Sequence, residues 1–218
     1  MKTLLFDIEG TTTDIAFVHK VLFPYSLERI ETYVRENSHH PAINQVRVTL
    51  LEERNMQASL TDVIEALKLW IRTDRKQSAL KTLQGEIWLK GYESGAFKGH
   101  VYSDVLPAWL NWKKQGHQLA IYSSGSVPAQ KLLFRFSTAG DLTAHLSNYF
   151  DTKVGGKREA KSYQTIKETL KTEIIFFSDI KEELDAARLA GLETVQVFRD
   201  GIQPTTHQAI TSFADFNL

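Results

Sequence analysis

Thr3-Leu4-Leu5-Phe6-Asp7-Ile8-Glu9-Gly10-Thr11-Thr12-Thr13-Asp14 is the stretch on which the fold of this chain turns. It opens with a run of strand-forming residues that does not alternate with polar ones, the pattern of a central parallel strand covered on both faces. It then breaks abruptly into acids, a glycine and threonines. Three later runs behave the same way: 119–122 stops at Ser123-Ser124-Gly125-Ser126, 174–177 at Ser178-Asp179, and 194–198 at Arg199-Asp200-Gly201. Helical patterns lie between and beside them. Residues 104–114 place Val105, Leu106, Trp109, Leu110 and Trp112 at helical spacing, with Gly116 as a stop; 127–136 begins with Ser126 as expected N-cap and Pro128 in the first turn. Residues 159–170 and 182–190, the latter closed by Gly191, continue the alternation. Strands and helices in turn predict an α/β fold, an open parallel sheet with helices on both faces.

Residues 21–95 break that rhythm, with Phe23, Leu27, Ile30 and Val34, then Val63, Ile64, Leu67 and Trp70, then Leu80, Leu83, Ile87 and Trp88 at helical spacing and no comparable strand. This stretch is too long for a loop. It predicts a small all-helical cap inserted after the first strand, with residues 1–20 and 96–218 forming the α/β core. At roughly 100 to 200 residues per domain, a length of 218 suits such a domain and a half. His39-His40 before Pro41 reads as an exposed loop between cap helices, and Gly91, Gly95 and Gly99 as a hinge where the cap rejoins the core.

Composition narrows the function. Lys+Arg and Asp+Glu both number 26, so no basic excess exists to meet nucleic-acid phosphates or an anionic membrane surface. Hydrophobic residues at 42% and charged residues at 24% are those of a folded, water-soluble domain. The absence of cysteine removes disulfides, thiolate metal sites and a thiol nucleophile together, and suits a cytoplasmic setting. No run approaches the ~20 apolar residues of a membrane helix, and residues 1–10 hold too short an apolar segment for a signal peptide. The seven histidines include no His-x-His or His-Glu-x-x-His spacing.

In open parallel sheets ligands bind beyond the carboxyl ends of the strands. Three predicted strands end there in chemically useful residues: Asp7 and Glu9, Ser123 and Ser124, and Asp179. Taken singly, each is ordinary turn or cap chemistry, and Ser178-Asp179 equally suits the N-cap of the helix near Glu182. Their order is more specific. Asp7-Ile8-Glu9-Gly10-Thr11, then Ser123-Ser124-Gly125, then Lys157, then Ser178-Asp179 resembles the haloacid-dehalogenase-like superfamily of aspartate-nucleophile phosphatases, whose usual first motif is Asp-x-Asp-x-Thr. With Glu at position 9, and with Trp88-Leu89-Lys90-Gly91-Tyr92-Glu93-Ser94-Gly95, Tyr122-Ser123-Ser124-Gly125-Ser126-Val127, Gly156-Lys157-Arg158-Glu159-Ala160-Lys161-Ser162-Tyr163 and Phe177-Ser178-Asp179-Ile180-Lys181-Glu182-Glu183-Leu184-Asp185-Ala186-Ala187, the chain is similar over nearly its whole length to the enolase-phosphatase family of methionine salvage.

The resemblance implies a Rossmann-like core and a small phosphorylated diketone as substrate, 2,3-diketo-5-methylthiopentyl 1-phosphate. That compound is enolised and then dephosphorylated to the acireductone 1,2-dihydroxy-3-keto-5-methylthiopentene. One Mg²⁺ per subunit is implied, held by the Asp7 and Asp179 side chains and the Glu9 backbone carbonyl. A carboxylate attacking a phosphoryl group meets repulsion of roughly 4 kcal/mol per charge pair at about 4 Å and an effective dielectric near 20, which a bridging cation relieves. On this reading Asp7 is the nucleophile and Glu9 the general acid and base. Ser123 and Ser124 bind the phosphoryl group at a helix N-terminus, and Lys157 adds a point charge. Lys153 and Lys161 are rivals that only family spacing, with Tyr163 six residues on, sets aside. Glu9 is also expected to reach the adjacent C–H and serve as enolisation base, against Lys98, His100 and Tyr102; His19 lies close enough in sequence to approach the site. A monomer in the cytoplasm is expected. The alternatives are a related phosphatase for a sugar phosphate or phosphoglycolate, and a catalytically silent binding domain.

Overall fold

The computed structural model describes residues 1–55 and 57–218. Six strands, β1 (Lys2–Phe6), β2 (Gln118–Tyr122), β3 (Asn148–Phe150), β4 (Glu173–Ser178), β5 (Glu193–Val197) and β6 (Gln208–Ile210), form one sheet in the order β3-β2-β1-β4-β5-β6. Every pairing is parallel. β1 is central, paired Leu5 to Ala120 on one side and Leu5 to Phe176 on the other, which is why its run is apolar at consecutive positions: Leu4, Leu5 and Phe6 are all fully buried. The run predicts four strands; β3 and β6 are added at the edges. Both have three residues and only one of the three buried, so neither carries the continuous apolar signature.

Alternate residues of the strands face opposite layers. On one face Leu5, Ala120, Tyr122 and Phe176 pack with Tyr163 and Ile166 of α8 (Ala160–Leu170) and Leu184 and Ala187 of α9 (Lys181–Leu189). On the other, the rings of Phe6 and Phe177 stack at 4.9 Å between centroids, and Trp109 and Trp112 of α6 (Val105–Lys114) and Phe213 gather round Phe6 at 5.5 to 5.9 Å. Phe134 of α7 (Val127–Arg135) joins Trp109 at 5.5 Å. α6 and α7 thus cover one face and α8 and α9 the other, as right-handed crossovers require when strand order runs outward from β1 and then reverses. Ser126 does not cap α7 with its side chain. Asp151 does so, accepting from the Val127 amide at 3.2 Å.

The chain divides into two compact units, Met1–Ile15 with Lys98–Leu218, and Ala16–Phe97. The divisions lie at 15/16 and 97/98 rather than 20/21 and 95/96, because α1 (Ile15–Phe17) and a π turn (Val18–Leu22) run without interruption into α2 (Phe23–Glu36). The helical unit continues with α3 (Pro41–Arg54), α4 (Leu60–Arg72) and α5 (Ser78–Glu93). Its own core joins Ile30 and Val34 to Ile43 and Val46, Val63, Leu67 and Trp70, and Leu83 and Ile87. Ser59 and Asp62 form a reciprocal capping box on α4. α3 has buried Ile43, Val46 and Leu50, but exposed Val48 and Leu51 interrupt the stripe, which hides the helix from a periodicity reading. His40 is half-buried, not a free loop residue: Nδ1 accepts the Ala42 amide as the N-cap of α3 and Nε2 lies 3.3 Å from Glu86.

Two of the expected hinge glycines serve close packing. A Cβ on Gly99 would stand 2.2 Å from the Leu133 carbonyl oxygen, and one on Gly91 2.6 Å from the Phe97 ring. No helix among the described residues is long and apolar enough to cross a membrane. Because Trp112 packs on Phe6, Phe177, Phe213 and Phe216, Trp112→Ala is expected to cost about 3 to 5 kcal/mol, read from the denaturant midpoint at unchanged slope. A loss near zero would show that this aromatic layer does not hold the sheet.

Candidate active site

β1 and β4 lie side by side, and their register sets Phe6 against Phe177. The next residue, Asp7, keeps the pairing by donating its amide to the Phe177 carbonyl at 2.9 Å. Its carboxylate therefore emerges at the carboxyl end of the sheet, at the point where strand order reverses. Beyond it the chain curls on itself: the Thr11, Thr12 and Thr13 amides all donate to the Ile8 carbonyl at 2.9 to 3.2 Å, and the Gly10 amide donates to Thr13 at 2.7 Å. Gly10 takes φ +77°, and a Cβ there would stand 2.3 Å from Asp179 Oδ2. Only glycine lets the loop lie this close to the Asp179 carboxylate. Thr11 Oγ1 completes the approach, accepting the Asp179 amide at 3.0 Å and donating to Asp179 Oδ1 at 3.3 Å.

Lys157 reaches the same centre from the loop before α8. Its ammonium pairs with Asp7 Oδ1 and with Glu183 Oε2, the latter at 2.7 Å, and its side chain is 9% exposed. Lys153 and Lys161, the rivals in sequence, are exposed. The loop is held by three hydroxyls: Tyr163 donates to the Lys157 carbonyl at 2.7 Å, Ser162 to Gly156 at 2.8 Å and Tyr122 to Gly155 at 2.9 Å. The six-residue spacing from Lys157 to Tyr163 is thus a hydrogen bond. Glu183, on the first turn of α9, escapes the sequence reading. Its only signal is an acid four residues after Asp179, which is also ordinary helix N-terminal composition. Ser178 donates to Glu183 Oε2 at 3.0 Å and accepts the Ile180 amide at 3.1 Å. Ser178 therefore does hold the turn into α9, whereas the Asp179 carboxylate faces Thr11.

Glu9 and Ser123 meet across the strand ends, Ser123 Oγ donating to Glu9 Oε2 at 3.2 Å and accepting the Gly125 amide at 3.1 Å. Ser124 follows, half-buried. Asp7, Glu9, Ser123, Lys157 and Asp179 are therefore linked directly or through Thr11 and the loop. His100 Nδ1 accepts the Asp14 amide at 3.0 Å and so is an engaged acceptor; Lys98 is exposed. His19 lies in the helical unit with its ring edge-on to Phe23.

Four acids, Asp7, Glu9, Asp179 and Glu183, surround this lysine. Burial and then the Asp7 charge push Asp179 up to about 6 and Glu183 up to about 7, and the same two causes raise Glu9. Burial disfavours the Lys157 ammonium, but Asp7 and Glu183 outweigh it and keep the lysine charged. The centre holds more carboxylate than it can ionise comfortably, an environment that favours a cation. The described residues contain no set of three acidic, histidine or cysteine side chains placed to hold a metal. What they offer is two carboxylates and neighbouring backbone oxygen, a donor set that fits a hard cation retaining most of its waters.

Comparison with known proteins gives the same reading. Residues 1–191 match the haloacid dehalogenase-like hydrolases. Proteins described as Enolase-phosphatase E1 are 47% identical in Cronobacter sakazakii, over 100% of this chain and 97% of theirs, and 49% identical in Klebsiella pneumoniae, over 95% and 92%. The crystal structure of the UTR4 protein of Saccharomyces cerevisiae superposes with a TM-score of 0.80 at 32% identity, covering 99% of both chains. CbbY from Rhodobacter sphaeroides, crystallised with phosphate, shares the fold with a TM-score of 0.62 at 15% identity, covering 99% of this chain and 96% of its own. Similarity at that level along the whole length, with the strand-end acids and the buried lysine at one centre, shows that the chain belongs to the haloacid dehalogenase-like hydrolases and, among them, to the Enolase-phosphatase E1 family.

Proposed function

We propose that this chain is the enolase-phosphatase of methionine salvage, a Mg²⁺-dependent phosphatase that enolises 2,3-diketo-5-methylthiopentyl 1-phosphate and hydrolyses the enol phosphate to the acireductone 1,2-dihydroxy-3-keto-5-methylthiopentene and inorganic phosphate. The observation that carries it is the pairing of Asp7 with Lys157 at the strand ends, with Glu9 two residues on, in a chain 45 to 49% identical to Enolase-phosphatase E1 proteins. We place the enzyme in the cytoplasm as a monomer.

Asp7 attacks the phosphorus and the bond to the enol oxygen breaks, leaving an aspartyl-phosphate on Asp7 that water then hydrolyses. Lys157 faces the carboxylate before attack and the transferred phosphoryl group after it, so charge is compensated on both sides of the step. Ser123 and Ser124, just before α7, bind phosphoryl oxygens. Asp7, Asp179 and the Glu9 carbonyl would hold the Mg²⁺, which would supply positive charge against that of the attacking carboxylate and the phosphate.

Glu9 has two tasks. Its raised proton affinity suits a group that gives a proton to the leaving oxygen and takes one from the attacking water. An enol leaves more readily than an alcohol, so the carboxylate is also free to act earlier. The carbon deprotonated in enolisation bears the phosphate's bridging oxygen, so a side chain aimed at that oxygen, one methylene longer than Asp, meets the C–H as well. His100 is less suited, its Nδ1 already accepting from Asp14, and Tyr102 lies under the Arg199 guanidinium, 4.1 Å from the ring.

Three outcomes are expected. Asp7→Asn should lower Mg²⁺-dependent phosphate release from the diketo phosphate by about 10⁴-fold or more; a variant retaining most of its turnover removes Asp7 as nucleophile. Glu9→Gln should lower both solvent-deuterium exchange at the enolised carbon and phosphate release, each by roughly 10² to 10⁴, and undiminished exchange beside lost release confines Glu9 to the second step. The third concerns pH. Asp179 and Glu183 bind protons more tightly folded than unfolded, so the folded protein holds more protons between their unfolded values, about 4 to 4.5, and their folded values of about 6 and 7. Metal-free stability should therefore be greatest below that window and decline as pH rises through it. Mg²⁺ should restore the melting temperature at pH 7 to 8, and a flat metal-free profile from pH 4.5 to 7 contradicts the charge balance described above.

A further inference from the structure

The loop carrying Asp7 and Glu9 is also gripped from outside. Its amides are used internally, so the carbonyls of Thr11 and Thr12 need donors from elsewhere. Thr12 receives the Tyr102 amide at 3.0 Å. Thr11 receives two donors from one side chain, Arg199 Nε at 3.0 Å and Nη2 at 2.5 Å. The remaining arm of the guanidinium, Nη1, pairs with Asp104 Oδ2 at 2.8 Å, and the two side chains are only 12% and 15% exposed. That single oxygen also accepts Ser212 Oγ at 3.0 Å and the Phe213 amide at 2.8 Å. Burial opposes the Asp104 charge, but Arg199, the Phe213 amide and Ser212 outweigh it and hold the carboxyl below its ordinary range. The guanidinium carbon also lies over the rings of Tyr102, at 4.1 Å, and Phe213, at 5.0 Å.

This arrangement leads to the reacting centre by one more step. The Thr11 residue whose carbonyl Arg199 holds is the one whose hydroxyl both accepts from the Asp179 amide and donates to its carboxylate. A planar fork with two donors on one carbonyl and a third on a buried carboxylate fixes position in a way that an ammonium point charge does not. Arg199, Ser212 and Phe213 all lie beyond residue 191, outside the stretch matched to the haloacid dehalogenase-like hydrolases. The terminal segment thus brings Arg199, Ser212 and Phe213 onto Asp104 and the Thr11 carbonyl.

We propose that Arg199 is a positioning residue of the phosphoryl-transfer centre: anchored by Asp104, it fixes the Thr11 carbonyl and, through the Thr11 hydroxyl, the orientation of the Asp179 carboxylate. It touches neither substrate nor metal, and the proposal rests on the reading of Asp7 and Asp179 as the pair that serves phosphoryl transfer.

The test is Arg199→Lys, which keeps the charge and loses the fork, measured in three ways on the full chain. Hydrogen exchange of a peptide covering residues 7–14 should accelerate while one covering β5 does not change. For the diketo phosphate, kcat should fall about 10- to 100-fold with KM within about twofold, and Mg²⁺ alone, followed by calorimetry, should bind about tenfold more weakly. In a Thr11→Val background, where the link to Asp179 is already cut, Arg199→Lys should add little further loss in kcat. Unchanged exchange in 7–14 overturns the proposal, as does acceleration spread evenly over the chain or a kcat loss fully additive with Thr11→Val. Asp104→Asn, which leaves the guanidinium in place and removes its anchor's charge, should move exchange and Mg²⁺ affinity in the same direction if Arg199→Lys does not fold. A wild-type protein inert toward the diketo phosphate would sink the functional reading alone, because the exchange and Mg²⁺ measurements still decide whether Arg199 positions Thr11 and Asp179.

Discussion

Everything at the carboxyl end of this sheet is arranged around one electrostatic constraint, the placing of Lys157 between Asp7 and Glu183. Buried carboxylates repel one another, by roughly 4 kcal/mol per pair at about 4 Å and an effective dielectric near 20, and breaking a buried ion pair typically costs about 3 to 5 kcal/mol. A single buried ammonium thus makes the ionised Asp7 carboxylate tolerable inside the protein. The supporting structure follows from that need. Hydroxyls of Tyr122, Ser162 and Tyr163 hold the Gly155–Lys157 carbonyls, and both tyrosine rings are buried in the layer between β2, β4 and α8. The core packing of one sheet face and the position of Lys157 are the same set of contacts.

The sheet does the rest by register. Asp7 and Asp179 are 172 positions apart in the chain and come together because Phe6 pairs with Phe177. A slip of one residue in that pairing would turn every β1 side chain to the opposite face, exchanging the Leu5 layer with the Phe6 layer. The stacking of Phe6 on Phe177 and of both on Trp112 opposes such a slip. Large aromatic side chains in the strands just before the two carboxylates therefore lock the distance between them.

Much of this was legible in residues 3–14. The unbroken run announced a central strand, and the acids at its end gained meaning only in order with Ser123-Ser124, Lys157 and Asp179 further along the chain. The parts that escaped reading have a common physical origin. β3 and β6 are short edge strands with one covered face, and α3 buries a stripe blurred by exposed Val48 and Leu51. Glu183 looks like any acid in the first turn of a helix, and Asp151 like any loop acid until it caps α7. Asp104 and Arg199 are 95 residues apart, with no local pattern linking them.

By itself, then, the sequence determined the layer architecture, the helical insertion and the polar residues that end the central strands. These depend on hydrophobic period and on residue types at strand ends, both local properties. Only the tertiary structure decided which of three lysines is buried, which fourth acid shares it, why position 10 must be glycine and how Arg199 reaches Thr11. Those are matters of distance between segments remote in the chain, set by strand register and side-chain packing; only the six-residue step from Lys157 to Tyr163 leaves a trace of them in the sequence.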